Sequence, residues 1–256
     1  MDLPYKADPL DHAETPGVAY EHIVQLLDFV CMKLGKSRDS LIIYDPYYCK
    51  GAVIENLCKL GFTQVINKKQ DFYTNPETEF DVVVTNPPYS GDHPEKLIDF
   101  CSKYGKPWFL LVPNWVYLKP YWQTTCQKMR QRYGSAPFFV APKKRYIYHT
   151  PKGLRADSDD GKTSPFITFW FCFCQGWNKE AYSICEKDKI PGTLLARETK
   201  DLPMTYLDQF DPEYKRQRNI MKSQKRNNKF KSPIHGIAKP AWGHKSWTKM
   251  QHSKKP

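Results

Sequence analysis

Asn86-Pro87-Pro88-Tyr89 follows directly on the apolar run Asp81-Val82-Val83-Val84-Thr85. Neither proline carries an N–H, so a β-ladder cannot continue through them and the strand must end in a stiff, extended turn. Such a turn presents the Asn86 amide, the Pro87 carbonyl and the Tyr89 ring. Two acceptors of this kind can take both hydrogens of one NH2 group while an aromatic face covers the plane behind it. The chemistry these residues suit is the gripping of a planar amine. The bland alternative is a plain strand-ending loop.

The elements that must hold this turn are legible from apolar spacing. Thr15-Pro16 reads as the cap and first turn of a helix, with Val18, Ile23, Leu26, Leu27 and Val30 at helical spacing. Leu41 to Tyr44 is a short apolar strand ending at Asp45-Pro46. A helix follows from Ala52 to Leu60 and stops at Gly61. Gln64 to Asn67 and Phe80 to Thr85 are strands, Pro94 to Tyr104 a helix, and Trp108 to Val112 another strand. Asn114 to Tyr133 reads as partly helical, interrupted by Pro120. Phe138–Val140, Arg145–Tyr148 and Phe166–Cys174 are the remaining strands. Continuous apolar strands separated by helices predict an α/β fold with a mostly parallel sheet covered on both faces. The last pair, Arg145–Tyr148 and Phe166–Cys174, leaves no room for a helical crossover and is expected to be antiparallel, joined by a polar loop over His149–Ser164.

In open parallel sheets ligands sit at the carboxyl ends of the strands. Asp45 ends the first strand, Asp71 follows the second, and Asn86 ends the third. With the Asn-Pro-Pro-Tyr turn, this order resembles the class I S-adenosylmethionine-dependent amino-methyltransferases, adenine-N6 methyltransferases in particular, over residues 13–175. The resemblance implies a Rossmann-like sheet, S-adenosylmethionine as cofactor, and methylation of the exocyclic amine of adenine in nucleic acid, RNA ahead of DNA. Asn86, Pro87, Pro88 and Tyr89 take the catalytic positions. Asp45, Pro46, Tyr47 and Gly51 match a cofactor loop in which Cys49 stands where the family has a first glycine. Asp71-Phe72 matches the pair that meets the cofactor's adenine. Asn67 and Lys68 stand where an acidic residue usually holds the ribose. Thr15 and Pro16 match a segment beside the methionine end. Two alternatives share these residues: a protein glutamine N-methyltransferase, and a non-catalytic nucleic-acid-binding subunit that keeps the fold. Beyond Tyr89, Trp115, Tyr117, Tyr121 and Trp122 precede Lys143, Lys144 and Arg145, a mixture suited to stacking on unpaired bases and holding phosphates. Most of these aromatics fit a core equally well.

The 256 residues carry a net charge of +12, 40% hydrophobic and 14% aromatic residues, enough for one core domain with an appendage. The charge is not spread evenly. From Pro212 to Pro256 there are 13 Lys/Arg and one acidic residue, Glu213, so residues 1–211 are balanced and the tail holds the excess. The sequence therefore divides into a methyltransferase-like domain over 1–195 and a basic, largely disordered tail over 196–256. Lys215, Arg216, Arg218, Lys222, Lys225, Arg226, Lys229 and Lys231 suit phosphate contacts without sequence reading, and equally a nuclear import signal. Trp242 and Trp247 read as anchors for a protein partner. No apolar run approaches the ~20 residues of a membrane span. Met1 to Lys6 lacks the pattern of a secretory leader. The eight cysteines show no metal-binding spacing and are expected as reduced, mostly buried thiols. The expected location is intracellular, with the nucleus or nucleolus favoured over the cytoplasm.

Overall fold

The computed structural model describes residues 14–148 and 166–231, with side chains to residue 224. The expected loop His149–Ser164, Trp242 and Trp247 lie outside the described residues, as do the side chains of Lys225, Arg226, Lys229 and Lys231. The chain divides into one compact unit ending at Gln217 and a second beginning at Arg218.

The first unit is built on a seven-stranded mixed sheet. Its strands are β1 (Ile42–Tyr44), β2 (Gln64–Ile66), β3 (Val82–Thr85), β4 (Trp108–Pro113), β5 (Phe138–Pro142), β6 (Thr168–Phe173) and β7 (Thr193–Ala196), in the spatial order β2-β1-β3-β4-β6-β5-β7. β2, β1, β3 and β4 are parallel neighbours. β6 runs against both β4 and β5, and β7 against β5. Five strands thus point one way and two oppose them.

Side chains alternate across these strands, and each face builds its own core. On one face Ile43, Val82, Val84, Phe109, Leu111, Trp170 and Cys172 meet α1 (Gly17–Glu21), α2 (Val24–Leu34), α3 (Ala52–Lys59) and α6 (Asn178–Asp188). On the other Tyr44, Val83, Trp108, Leu110, Val112, Phe169 and Phe171 meet α4 (His93–Tyr104) and α5 (Pro120–Tyr133). Pro120 opens α5 rather than interrupting it, because a missing N–H costs nothing in the first turn. α4 stops at Gly105, whose φ of 64° suits glycine, and an added Cβ would lie 2.5 Å from the Tyr133 hydroxyl. Val18, counted among the apolar helix positions, is exposed. Cys58 is exposed, Cys49 half-buried and the other six thiols buried.

Three expectations are corrected. Arg145–Tyr148 is irregular, and β6 pairs with Phe138–Val140 instead. The boundary at residue 195 falls inside β7, and the chain beyond it stays on the body. Leu202, Tyr206 and Leu207 are buried in the core. Asn114 Nδ2 donates to the Tyr206 carbonyl at 3.1 Å, the Tyr206 hydroxyl to the Pro142 carbonyl at 2.6 Å, and the Asp208 N–H to the Tyr117 hydroxyl at 2.8 Å. Third, Pro212–Lys231 is a helix, α7, and not irregular chain. Its cause is local. Asp211 accepts from the Glu213 N–H at 2.6 Å as an N-cap, Pro212 takes the first helical position, and no glycine or further proline follows before Lys231.

A chain cut after residue 195 is expected to lose cooperative folding. Each of Leu202, Tyr206 and Leu207 takes roughly 1.5–3 kcal/mol of burial with it, against a total stability of about 5–15 kcal/mol. A chain cut after residue 224 is expected to melt within a few degrees of the full chain. Thermal unfolding followed by circular dichroism separates the two.

Candidate active site

The parallel strands β1, β3, β4 and β5 end on the same edge of the sheet, at Asp45, Asn86, Asn114 and Lys143. Asp45 is 6% exposed. Its Oδ1 accepts from the Thr85 hydroxyl at 2.5 Å and from the Tyr47 N–H at 3.1 Å. Burial pushes the Asp45 carboxyl up to about 7, against the lowering effect of those two hydrogen bonds and with some raising by Glu14. The carboxyl therefore organises the loop that comes after it.

Two further groups pin that loop. Asn67 Nδ2 donates to the carbonyls of Asp45 (3.1 Å) and Tyr47 (3.3 Å). Glu14 Oε1 accepts from the Lys50 N–H at 2.7 Å. Gly51, with φ of 85° and open space where a Cβ would stand, turns the chain into α3. Cys49 stays out of the left-handed region, which among described non-glycine residues only Gln175 and Lys189 enter. The loop therefore forms without a glycine at that position. Burial pushes the Cys49 thiol up to about 12, helped by Glu14, so it is a neutral thiol and a poor nucleophile.

The remaining cofactor candidates divide between edge and core. Thr15 is buried, its carbonyl accepting from Asn56 Nδ2 at 3.3 Å, and Pro16 is half-buried. Pro46 is buried. The Tyr47 and Phe72 rings lie in an aromatic cluster with Tyr44, Tyr73 and Phe100, at 5% and 3% exposure. Tyr47 and Tyr73 share a 3.0 Å hydrogen bond, and Tyr73 bonds to His93 Nδ1. Asp71 is half-buried and accepts from the Tyr73 N–H at 2.9 Å.

In the Asn-Pro-Pro-Tyr turn the prolines are buried while Asn86 and Tyr89 are half-buried. The Tyr89 hydroxyl donates to Asn86 Oδ1 at 2.5 Å and lies 3.4 Å from the Leu111 carbonyl. It is also bonded to Tyr148, whose own hydroxyl meets Thr168 Oγ1 at 2.6 Å. A chain of hydroxyls thus runs from β6 through Tyr148 and Tyr89 to the Asn86 amide. An amide oxygen has two lone pairs, so Asn86 retains one for a ligand amine. Thr85 and Thr168, at strand ends, and Tyr148, on an irregular segment, were missed in the sequence because single hydroxyls carry no spacing signal.

Beside the turn opens a cleft of about 900 Å³, lined among others by Trp115, Lys119, Phe166, Phe210 and Tyr214. Phe166 joins it to the turn, with its ring 6.0 Å from Tyr89 and 6.4 Å from Trp115. Arg145 holds this corner by donating to the Phe166 carbonyl at 2.8 Å. Lys143 and Lys144 are exposed. Of the aromatics expected near the substrate, Trp115 and Tyr121 are half-buried, whereas Tyr117 and Trp122 are core. On α7, Lys215, Arg216, Arg218 and Lys222 are exposed, with Arg216 paired to Glu213 at 2.6 Å. Among the described residues no group of His, Cys, Asp and Glu could hold a metal ion, and no helix is long and apolar enough to cross a membrane.

Comparison with protein-family models, with curated proteins and with solved structures gives no match to this chain.

The raised Asp45 carboxyl has a pH consequence. Its folded-state value, about 7 against an ordinary 3.8, means the native protein holds a proton that the unfolded chain has released. Its stabilising contribution is complete below pH ~4, declines as pH rises to about 7, and is then lost. Asp45→Asn is expected to remove this decline. Urea unfolding at pH 5 and pH 8 should show the wild type losing about 2–3 kcal/mol more than the variant. Equal losses would place the ionisation elsewhere.

Proposed function

We propose that this protein transfers a methyl group from S-adenosylmethionine to an exocyclic amine, with the N6 amine of adenine in nucleic acid as substrate and RNA ahead of DNA. The observation that carries the reading is the Asn86 amide, held by Tyr89 at the end of a parallel strand with one acceptor position left over. The sheet supports it through an antiparallel strand, β6, set between β4 and β5, in keeping with the Rossmann-like arrangement that the sequence resemblance implies.

The residues at the strand ends fit the cofactor. Asn67, which follows β2, has a buried Oδ1 with no hydrogen-bond partner. An acceptor buried unpaired costs about 1–3 kcal/mol, and a ribose hydroxyl is a donor of the right kind. Gly51 leaves open space at the start of α3. Asp45, Pro46, Tyr47 and Gly51 would shape the loop, Thr15 and Pro16 would flank it, and Asp71 would offer an acceptor to the adenine amine. Phe72 would contribute from beneath, through the aromatic cluster. Bound there, the cofactor supplies an electrophilic methyl group.

The protein's own task is to prepare the nucleophile. The lone pair of an adenine amine is delocalised into the ring. Acceptors on its two hydrogens, Asn86 Oδ1 and the Pro87 carbonyl, favour a pyramidal nitrogen and release the lone pair. The rest is orientation of two bound reactants. Tyr89 acts as the positioning residue for Asn86, and Tyr148 for Tyr89. The cations of α7 suit the phosphate backbone. Lys215, Arg218 and Lys222 recur at three- and four-residue spacing, that of one helix face.

Incubation with methyl-labelled S-adenosylmethionine and separate RNA, DNA and protein pools tests the reading, each pool being digested for mass spectrometry. Label in N6-methyladenine is expected. Label in glutamine would replace it with protein methylation, and no label without cofactor binding would leave a nucleic-acid-binding subunit. Asn86→Ala is expected to lower kcat by roughly 10²–10³ at unchanged cofactor affinity. Tyr89→Phe keeps the ring and removes the donor, so kcat should fall about fivefold with KM little changed, on the scale of one hydrogen bond of about 1 kcal/mol.

A further inference from the structure

The cleft beside the Asn-Pro-Pro-Tyr turn has one wall that belongs to no part of the amine-gripping machinery. Residues 204–214 form it: Met204, Leu207, Asp208, Phe210 and Tyr214 line the cleft together with Trp115 and Phe166. We infer that this wall and Trp115 form a stacking clamp for an unpaired nucleobase flanking the target, so that the substrate is single-stranded nucleic acid. The inference rests on the proposed function for the word target, and names the substrate class of that site.

Four observations carry it. Phe210 is 68% exposed, the most exposed large hydrophobic side chain among the described residues. A ring left in water at the rim of a cleft loses burial that a planar ligand would restore. Its backbone is not loose, because the Phe210 N–H donates to Asp208 Oδ1 at 2.9 Å and the Asp208 N–H to Tyr117. The ring is therefore presented by a fixed turn. Second, Lys119 Nζ stands 5.2 Å over the Trp115 ring, which places a cation beside an aromatic face, as base stacking with a neighbouring phosphate requires. Asp208 is the one acidic residue among the described residues of the lining, and its Oδ1 is taken up by the turn. Third, the cleft is continuous with the turn through Phe166, so a base held there is a neighbour of an amine held at Asn86. Fourth, its volume of about 900 Å³ falls within the ~300–1,000 Å³ of sites that enclose small organic ligands, large for one base and suited to a base with its sugar. A duplex keeps its bases stacked on one another and cannot offer one to this wall without being opened.

Fluorescence anisotropy of the full chain with a labelled single-stranded RNA of about 12 nucleotides, the same sequence as DNA, and the corresponding duplexes tests the clamp. Single strands should bind more tightly than duplexes at equal salt. Phe210→Ala should weaken single-strand binding about 5- to 100-fold, Phe210→Trp should restore it, and both should keep the wild-type salt slope, since no phosphate contact is removed. Phe210 is too exposed for its loss to endanger the fold. Wild-type affinity in both Phe210→Ala and Trp115→Ala would overturn the clamp. So would a glutamine-bearing peptide that displaces the oligonucleotide from the wild type and loses affinity in Phe210→Ala. The two readings fail separately. Single-strand binding that depends on Phe210, without label transfer to any substrate, leaves the clamp and removes the methyl transfer. N6-methyladenine formed by Phe210→Ala at the wild-type KM leaves the transfer and removes the clamp.

Discussion

The hydrogen bond from the Thr85 hydroxyl to Asp45 Oδ1, 2.5 Å long and shut off from solvent, joins the last residue of β3 to the first residue past β1. Both neighbours of this bond are the candidate site: the loop 45–51 on one side, the turn 86–89 on the other. A buried carboxyl is strongly disfavoured when charged, and this one avoids the charge by holding its proton up to about pH 7. In that state it accepts from Thr85 and from the Tyr47 N–H at once, which fixes where the loop leaves the sheet. Asn67 then closes the loop from β2 with two donated bonds. Three adjacent strand ends are thereby locked by side chains whose polar atoms face one another rather than water.

The same logic governs the turn. Two prolines end β3 and cannot hydrogen-bond through their nitrogens, so side chains must orient the residues around them. The hydroxyls of Tyr148 and Tyr89 do this, anchored on Thr168 at the start of β6. β6 is the strand that opposes its neighbours, and its first residue therefore lies at the carboxyl edge of β4, opposite Pro113. An antiparallel strand placed there brings an N-terminal end, with its own side chains, between the carboxyl ends of β4 and β5.

Those elements were legible in the sequence that leave a periodic or local trace. β1, β3, β4 and β6 were readable because strands buried on both faces are continuous apolar runs, such as Trp108–Val112 and Phe169–Phe173. The Asn-Pro-Pro-Tyr turn was readable because its meaning is local. Tyr148 and Thr168 were not, since their role depends on a meeting of residues 20 positions apart that no local pattern encodes. Arg145–Tyr148 looked like a strand because aromatic and β-branched residues alternate there, yet Tyr146 and Tyr148 are buried as single side chains on an irregular segment. The helix α7 carried a readable signal in Asp211-Pro212-Glu213, which high charge and the absence of an apolar period concealed.

The segment between β7 and α7 shows why a boundary at residue 195 falls too early. Net charge changes at Pro212, and a boundary drawn from composition falls near it or before it. Packing depends instead on a few large side chains. Leu202, Tyr206 and Leu207 suffice to hold some 15 residues of otherwise polar chain on the body, because each removes apolar surface from water at roughly 1.5–3 kcal/mol. Once held, the segment can present Phe210 to solvent without losing its place. An exposed ring on a mobile tail would lose the full entropy of ordering on binding, whereas one on a pinned turn has lost most of it on folding. The anchoring of residues 199–211 is therefore what makes an aromatic wall useful beside the turn.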